Sequence, residues 1–211
     1  AGGKVEAARI RTIAEEAGKI GCRVALYNHG NWFGEPENEL AIIEELKLPN
    51  VGLVYNLHHG HAHVERLPEL LKKMMPHLWC VNINGMAKEG DSQGRKILPL
   101  GQGDFDLQVL RQVVESGYRG QIGILGHTQD DAEQRLADNL DGLKWLVGQL
   151  KGQDAGARPQ PRTAVPPAPT CDAGAAAAGK APSLLRSAAV MITRPEVSAI
   201  WSAKCTWAPT A

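Results

Sequence analysis

An α/β fold with a parallel sheet is predicted by three features of this sequence. Short apolar runs of strand length alternate with longer stretches whose apolar residues recur at helical spacing, four times over. The run that opens at Val51 is apolar with little alternation, as in a strand covered on both faces. All four runs end in an amide or imidazole residue accompanied by glycine. In such an alternation the crossovers are right-handed and the loops after the strands collect at one rim.

The elements follow in chain order. Lys4 to Gly18 carries Val5, Ala8, Ile10, Ile13, Ala14 and Ala17 at near-helical spacing, and Gly18 and Gly21 end it. Arg23 to Asn28 is a strand that stops at His29-Gly30. Trp32 to Glu35 is a loop, and Pro36 to Leu46 is a helix with proline at its first position, where a missing N–H is tolerated. After the turn signal Pro49-Asn50 comes VGLVYNLHHGHAH, a strand running into His58, His59, His61 and His63. Val64 to Met75 is a helix closed by Pro76. Leu78 to Asn84 is the third strand, and residues 86–103 form a long Gly-rich polar loop of the kind that usually carries function. Asp106 to Ser116 is a helix with Leu107, Leu110, Val113 and Val114 inward. Gln121 to Leu125 is the fourth strand, ending at Gly126-His127. Asp130 to Leu146 is the last helix, with Asp130 as cap and Ala132, Leu136, Leu140, Leu143 and Leu146 on its inner face.

From Lys151 the composition turns to Ala, Pro and Gly. Residues 155–182 hold too few large apolar groups to offset the entropy of ordering, which predicts a linker or disordered tail over 151–211 after a folded unit at 1–150. Hydrophobicity returns over 184–201, interrupted by Arg186, Arg194 and Pro195, and Trp201 and Trp207 are the anchors if the tail docks.

Composition narrows the function. With 23 basic and 23 acidic residues the chain has no net charge, which argues against a general nucleic-acid or acidic-membrane binder. No apolar run approaches the roughly 20 residues of a membrane helix. Cys22, Cys80, Cys171 and Cys205 are scattered, which indicates neither a zinc ribbon nor a disulfide scaffold, and Cys22 and Cys80 read as core thiols. The chain starts at Ala1, close before a helix, and reads as an excerpt of a longer polypeptide.

The strand ends supply the chemistry. Asn28, His29, Asn56, His59, His61, Asn82, Asn84 and His127 form a neutral rim. Amides and imidazoles both donate and accept hydrogen bonds, which suits a sugar or polyol as small-molecule partner. For catalysis, His29 and His59 are the residues whose ordinary pKa lets them act as a base near neutral pH. Two alternatives stand beside this. His59, His61 and His63, with His29 or His127, could form a zinc-type site if the segment is extended, since residues two apart then point the same way. Or the fold is a non-catalytic carbohydrate-binding or interaction module.

The segments ALYNHGNWFGEPENE, VGLVYNLHHGHAH, LWCVNINGM, ILPLGQGDFD and SGYRGQIGILGH resemble the second half of the xylose-isomerase-like TIM barrels, the sugar-phosphate isomerase/epimerase superfamily that also contains endonuclease-IV-type enzymes. Pro99 to Asp106 is similar to that family's Pro-Gly-x-Gly-x-x-Asp before its last barrel helix, and Gly117-Tyr118-x-Gly120 to its approach to the last strand. The likeness runs from residue 4 to about residue 148. It implies a TIM-barrel type α/β fold, here a half barrel of four parallel βα units, with four more preceding Ala1. It also implies a divalent metal held by carboxylates and a histidine, but the equivalent positions are Tyr27, Asn56, Asn82 and Leu125, so the carboxylate ligands of the family are not present. The resemblance further implies substrate contact or proton transfer for His29 and His59. The function expected is a sugar or polyol isomerase/epimerase-like barrel with a neutral Asn/His rim. Half a barrel leaves strand edges open at residues 23–28 and 121–125, so the macromolecular partner expected is the missing N-terminal half or a second copy.

Overall fold

The computed structural model describes residues 2–126, 130–165 and 189–193. The helix α1 (Gly2–Lys19) leads into β1 (Arg23–Tyr27), α2 (Pro36–Leu46), β2 (Val51–Asn56), α3 (Leu67–Met74), β3 (Leu78–Ile83), α4 (Asp106–Glu115), β4 (Gln121–Ile124), α5 (Ala132–Leu150) and β5 (Ala189–Thr193). Strands β1 to β4 are parallel and lie in chain order, as the alternating sequence predicts. No helix among the described residues is long and apolar enough to cross a membrane.

Alternation along the strands divides their side chains between two faces. One face presents Val24, Leu26, Leu53, Tyr55, Val81 and Ile83 to the helices, where Ile10, Ile43, Leu70 and Val113 pack on them. The other holds Ala25, Val54 and Cys80, with Tyr27 and Trp79 against them. Gly52 is required on this second face, because a Cβ there would come within 2.2 Å of the Trp79 indole. Arg23 stacks over the same ring, 4.5 Å from its centre.

Several helical faces differ from the sequence reading by one residue. In α1 the buried stripe is Ala7, Ile10, Ala14 and Ala17, while Val5 and Ile13 face outward. In α4, Val109 is buried and Val114 is exposed. In α5 the inward residues are Arg135, Asp138, Asn139, Gly142 and Leu146, and Leu136 and Leu140 are about half exposed, at 52% and 51%. A polar inner face is what this helix needs, because it packs on backbone. Asn139 accepts from the Leu100 N–H at 2.9 Å, and a Cβ on Gly142 would lie 1.7 Å from the Leu100 carbonyl oxygen. The cap of α5 is Asp131, whose side chain accepts from the Gln134 N–H, and not Asp130.

Residues 155–165, read from composition as linker, run back along α5. Trp145 donates to the Gly156 carbonyl and Gln102 to that of Pro159. The Asp138 carboxylate then accepts from the backbone N–H groups of Arg162 and Thr163, the Thr163 hydroxyl and the Arg162 guanidinium. Burial works to raise the pKa of Asp138, and these donors outweigh it, carrying it down to about 2. The rest of the tail, with Trp201 and Trp207, lies outside the described residues apart from β5.

Strand β5 corrects the expectation of an open edge at residues 23–28. It pairs antiparallel with β1 from Arg23↔Thr193 to Tyr27↔Ala189, giving the sheet order β4-β3-β2-β1-β5. Among the described strands the other side of β4 is unpaired, and Ile122 there is 44% exposed.

Glu39, in the first turn of α2, is fully buried with no hydrogen-bond partner among the described residues for either carboxyl oxygen, and burial pushes its pKa up to about 9. The unfolded carboxyl titrates near 4.3. The folded chain therefore binds one more proton between these values, and stability falls as pH rises through that window. Glu39→Met is expected to raise the melting temperature more at pH 8 than at pH 5, and equal shifts at the two pH values would contradict a protonated Glu39.

Covering β1 also makes a prediction. Adjacent residues in a strand direct their N–H groups to opposite sides, so one of Met191→Pro and Ile192→Pro removes a hydrogen bond to β1. That variant is expected to expose the edge and associate with rising concentration in light scattering. Unchanged mass for both variants would show that β5 does not protect the sheet.

Candidate functional site

Register builds the site from the inner face upward. Asn56 pairs with Asn82, and Asn82 with Gly123, across the ends of β2, β3 and β4. Tyr27 ends β1 on the same face. The Asn56 carboxamide is buried and donates to the Tyr27 hydroxyl, while its Oδ1 has no hydrogen-bond partner among the described residues. Burial pushes the Tyr27 pKa up, against the hydrogen bond from Asn56, so the phenol is neutral at pH 7. With its oxygen accepting from Asn56, the hydroxyl has its own proton to offer a ligand.

Beside this pair stand the imidazoles of the loops after β1 and β2. His29 and His59 have ring centres 4.4 Å apart, and both rings approach Tyr27, at 6.1 and 5.9 Å. His58 lies against His59, at 3.6 Å between ring centres. The structure thus brings together Tyr27, His29, Asn56, His58 and His59.

The other residues of the expected rim have different partners. Asn28 is fully buried and its amide is spent on β2, donating to the Asn56 carbonyl at 3.0 Å and accepting from the Asn56 N–H at 2.6 Å. The Asn82 Oδ1 accepts from the Cys80 thiol at 3.4 Å. A Cβ on Gly123 would collide with that oxygen at 2.2 Å. Asn84 donates to the Gly85 and Lys96 carbonyls, and His61 Nε2 meets the same Lys96 oxygen at 3.2 Å, so both fasten the 86–103 loop. Burial pushes the His61 pKa down. His127 lies outside the described residues.

The trio His59, His61 and His63 is not gathered. Residues His61–Arg66 form a 3-10 helix, in which positions two apart point about 120° from each other. Among the described residues no group of three or more His, Cys, Asp or Glu side chains is placed to hold a metal ion.

Sequence reasoning passed over Tyr27 as a functional group, noting it only as a metal-ligand equivalent. The available signal was the inward register of Arg23, Ala25 and Tyr27. The two motifs most specific to the resemblance are architectural. Asp106 of the PLGQGDFD segment accepts from the N–H groups of Met86, Gly101 and Gly103, and burial nonetheless raises its pKa to about 6. The Tyr118 hydroxyl closes over Gly120, where a Cβ would lie 2.2 Å from it, to reach the Gln121 carbonyl.

The family model for xylose isomerase-like TIM barrels matches residues 4–147. No curated protein matches the chain. Among solved structures, the chain is similar to the 3-keto-D-glucoside 4-epimerase of E. coli, with 21% identity and a TM-score of 0.53 over 69% of this chain and 53% of that one. It is equally similar to a xylose isomerase domain protein from Planctomyces limnophilus, at 21% identity and a TM-score of 0.54 over the same shares. A D-tagatose 3-epimerase-like protein follows, at 21% identity and a TM-score of 0.50, over 68% of this chain and 55% of that one. The chain thus spans about half the length of these proteins, and at such identity the likeness is one of fold.

A divalent metal does not fit the positions the resemblance assigns to its ligands. They offer a phenol committed to Asn56, the two amides Asn56 and Asn82, and the aliphatic Leu125. Hard cations need several oxygen ligands, usually anionic. Melting temperatures with about 1 mM Mg²⁺, Mn²⁺ or Zn²⁺ and with chelator are expected to agree, whereas a ligand bound well below that concentration adds about 2–4 kcal/mol. A metal-dependent rise would reinstate a metal centre.

Proposed function

The chain belongs to the xylose isomerase-like TIM barrel family, and from that premise we propose that its rim binds a small sugar or polyol through neutral groups and uses His29 and His59 to move a proton next to a carbonyl. The observation that carries this reading is the 4.4 Å pairing of these imidazoles beside the Tyr27–Asn56 hydrogen bond, with Asn56 Oδ1 buried and unpartnered among the described residues. A buried acceptor without a donor costs about 1–3 kcal/mol, which a ligand hydroxyl would recover.

The chemistry follows from what each group can do. Inverting a carbon beside a carbonyl requires that its proton leave and return. An imidazole can take that proton and then give it back. Two imidazoles in van der Waals contact approach a bound sugar from one face, where one can take the proton and the other return it to the neighbouring carbon of the resulting enediol. The neutral Tyr27 hydroxyl donates to the carbonyl oxygen as negative charge develops there, in the role a metal plays in a carboxylate-rich site. The epimerase names of two similar structures support this substrate class.

In the whole protein the mouth is completed by further strands beside β4, from the same polypeptide or a second copy. The exposed Ile122, Leu136 and Leu140 supply an apolar flank for them.

The test is calorimetric titration with a panel of ketoses and 3-keto sugars, combined with NMR detection of deuterium entering the bound sugar from D2O. Binding is expected, with exchange reduced about 10²–10⁴-fold in His59→Ala. Binding without exchange would make the rim a carbohydrate-binding module, and no binding by any sugar of the panel would remove the proposal.

A further inference from the structure

His63 takes no part in the rim, yet it is the most enclosed of the described histidines, with only 4% of its side chain exposed. Its Nδ1 meets the hydroxyl of the fully buried Tyr55 at 3.3 Å, and its Nε2 faces Glu35 Oε1 at 3.5 Å. One neutral tautomer suits both contacts, with Nδ1 accepting from the phenol and Nε2–H directed at the carboxylate. Arg66 holds that carboxylate from the other side and pairs with Glu37 as well.

This bridge runs from Tyr55 in β2 through His63, in the loop that carries His59, to Glu35, in the loop that carries His29. In the first loop the His29 N–H bonds to the Phe33 carbonyl and the Glu35 N–H to that of Trp32, so residues 29–35 form one closed turn that ends at Glu35. In the second, the Gly60 N–H bonds to the Leu57 carbonyl and the His63 N–H to that of Gly60, closing residues 57–63. Gly60 rests on the Tyr55 hydroxyl, which leaves no room for a side chain, since a Cβ would lie 2.2 Å from that oxygen. Each loop is thus tied internally, and His63 stands where one meets the other.

We propose that His63 is the positioning residue of this site: its buried imidazole, set between Tyr55 and Glu35, fixes the spacing between the loop of His29 and the loop of His59. The role given to that histidine pair rests on the function proposed above, whereas the bridge itself is a matter of geometry and can fail or stand alone. A side chain that both accepts and donates can replace the imidazole, and one that does neither cannot. Glutamine has both groups at comparable reach. Alanine has neither.

The test is NMR of the full chain with histidine-selective labelling and no ligand, reading the cross-relaxation between the His29 and His59 rings. The signal is expected in the native protein, and because about 1 Å of loosening is enough to spoil a site, a drop of about threefold or more is expected in His63→Ala. It is expected to return in His63→Gln. A purely structural His63 would lower the melting temperature of the alanine variant and leave the ring contact unchanged, and that result would overturn the proposal. So would equal loss of the contact in His63→Ala and His63→Gln. If His63→Ala does not fold, Tyr55→Phe removes only the hydroxyl from the bridge: a weakened contact supports the proposal and an unchanged one overturns it. A protein that binds no sugar but loses the ring contact on His63→Ala keeps this inference while losing the proposed function.

Discussion

One carboxamide, that of Asn28, sets the geometry on which the rest of the site depends. It is buried between the ends of β1 and β2 and faces the backbone of Asn56 with both a donor and an acceptor, at 3.0 and 2.6 Å. A primary amide can imitate a peptide group in this way, so the ladder continues past the last paired residue of β1. The consequence is positional. Tyr27 and Asn56 are held on one face, and the loops that follow leave the sheet as neighbours instead of splaying apart.

A second set of polar contacts supports the sheet from the helix side. Asp106 gathers three backbone N–H groups of the 86–103 region, Asn139 takes the N–H of Leu100, and Asp138 secures residues 162 and 163. Buried backbone groups must be paired. Here they are paired by carboxylates and amides that a reading by hydrophobic period alone would place at the surface. Glu39 is the exception, since the cost of burying it is met by keeping it protonated. The site itself is also uncharged at its centre, where a phenol and an amide stand at positions for which the resemblance implies carboxylates.

Much of this was legible in the sequence, for identifiable reasons. The four parallel strands could be read because each apolar run is bounded by Gly, Pro, Asn or His. The meeting of His29 with His59 follows from two histidines placed shortly after adjacent parallel strands. What failed rested on assumed local conformation. The alignment of His61 with His63 presupposed an extended chain, and a 3-10 turn separates them. Asn28 counts as a rim residue on sequence because it ends a strand in an amide, as the other strands do, but that amide completes a ladder. The inner face of α5 was misread because Leu136 and Leu140 are more apolar than Arg135, Asp138 and Asn139, although only the polar set can meet the backbone beneath. The antiparallel β5 carries no signal in alternation or length that would tie it to β1.

The most direct measurement of the central claim is a crystal structure of the protein with a bound ketose. The account predicts a sugar carbonyl or hydroxyl oxygen on the Tyr27 hydroxyl, a second hydroxyl donating to Asn56 Oδ1, and a carbon beside the carbonyl within about 3–3.5 Å of an imidazole nitrogen of His29 or His59. A sugar bound elsewhere on the chain, or one at the rim that touches neither imidazole, would contradict it.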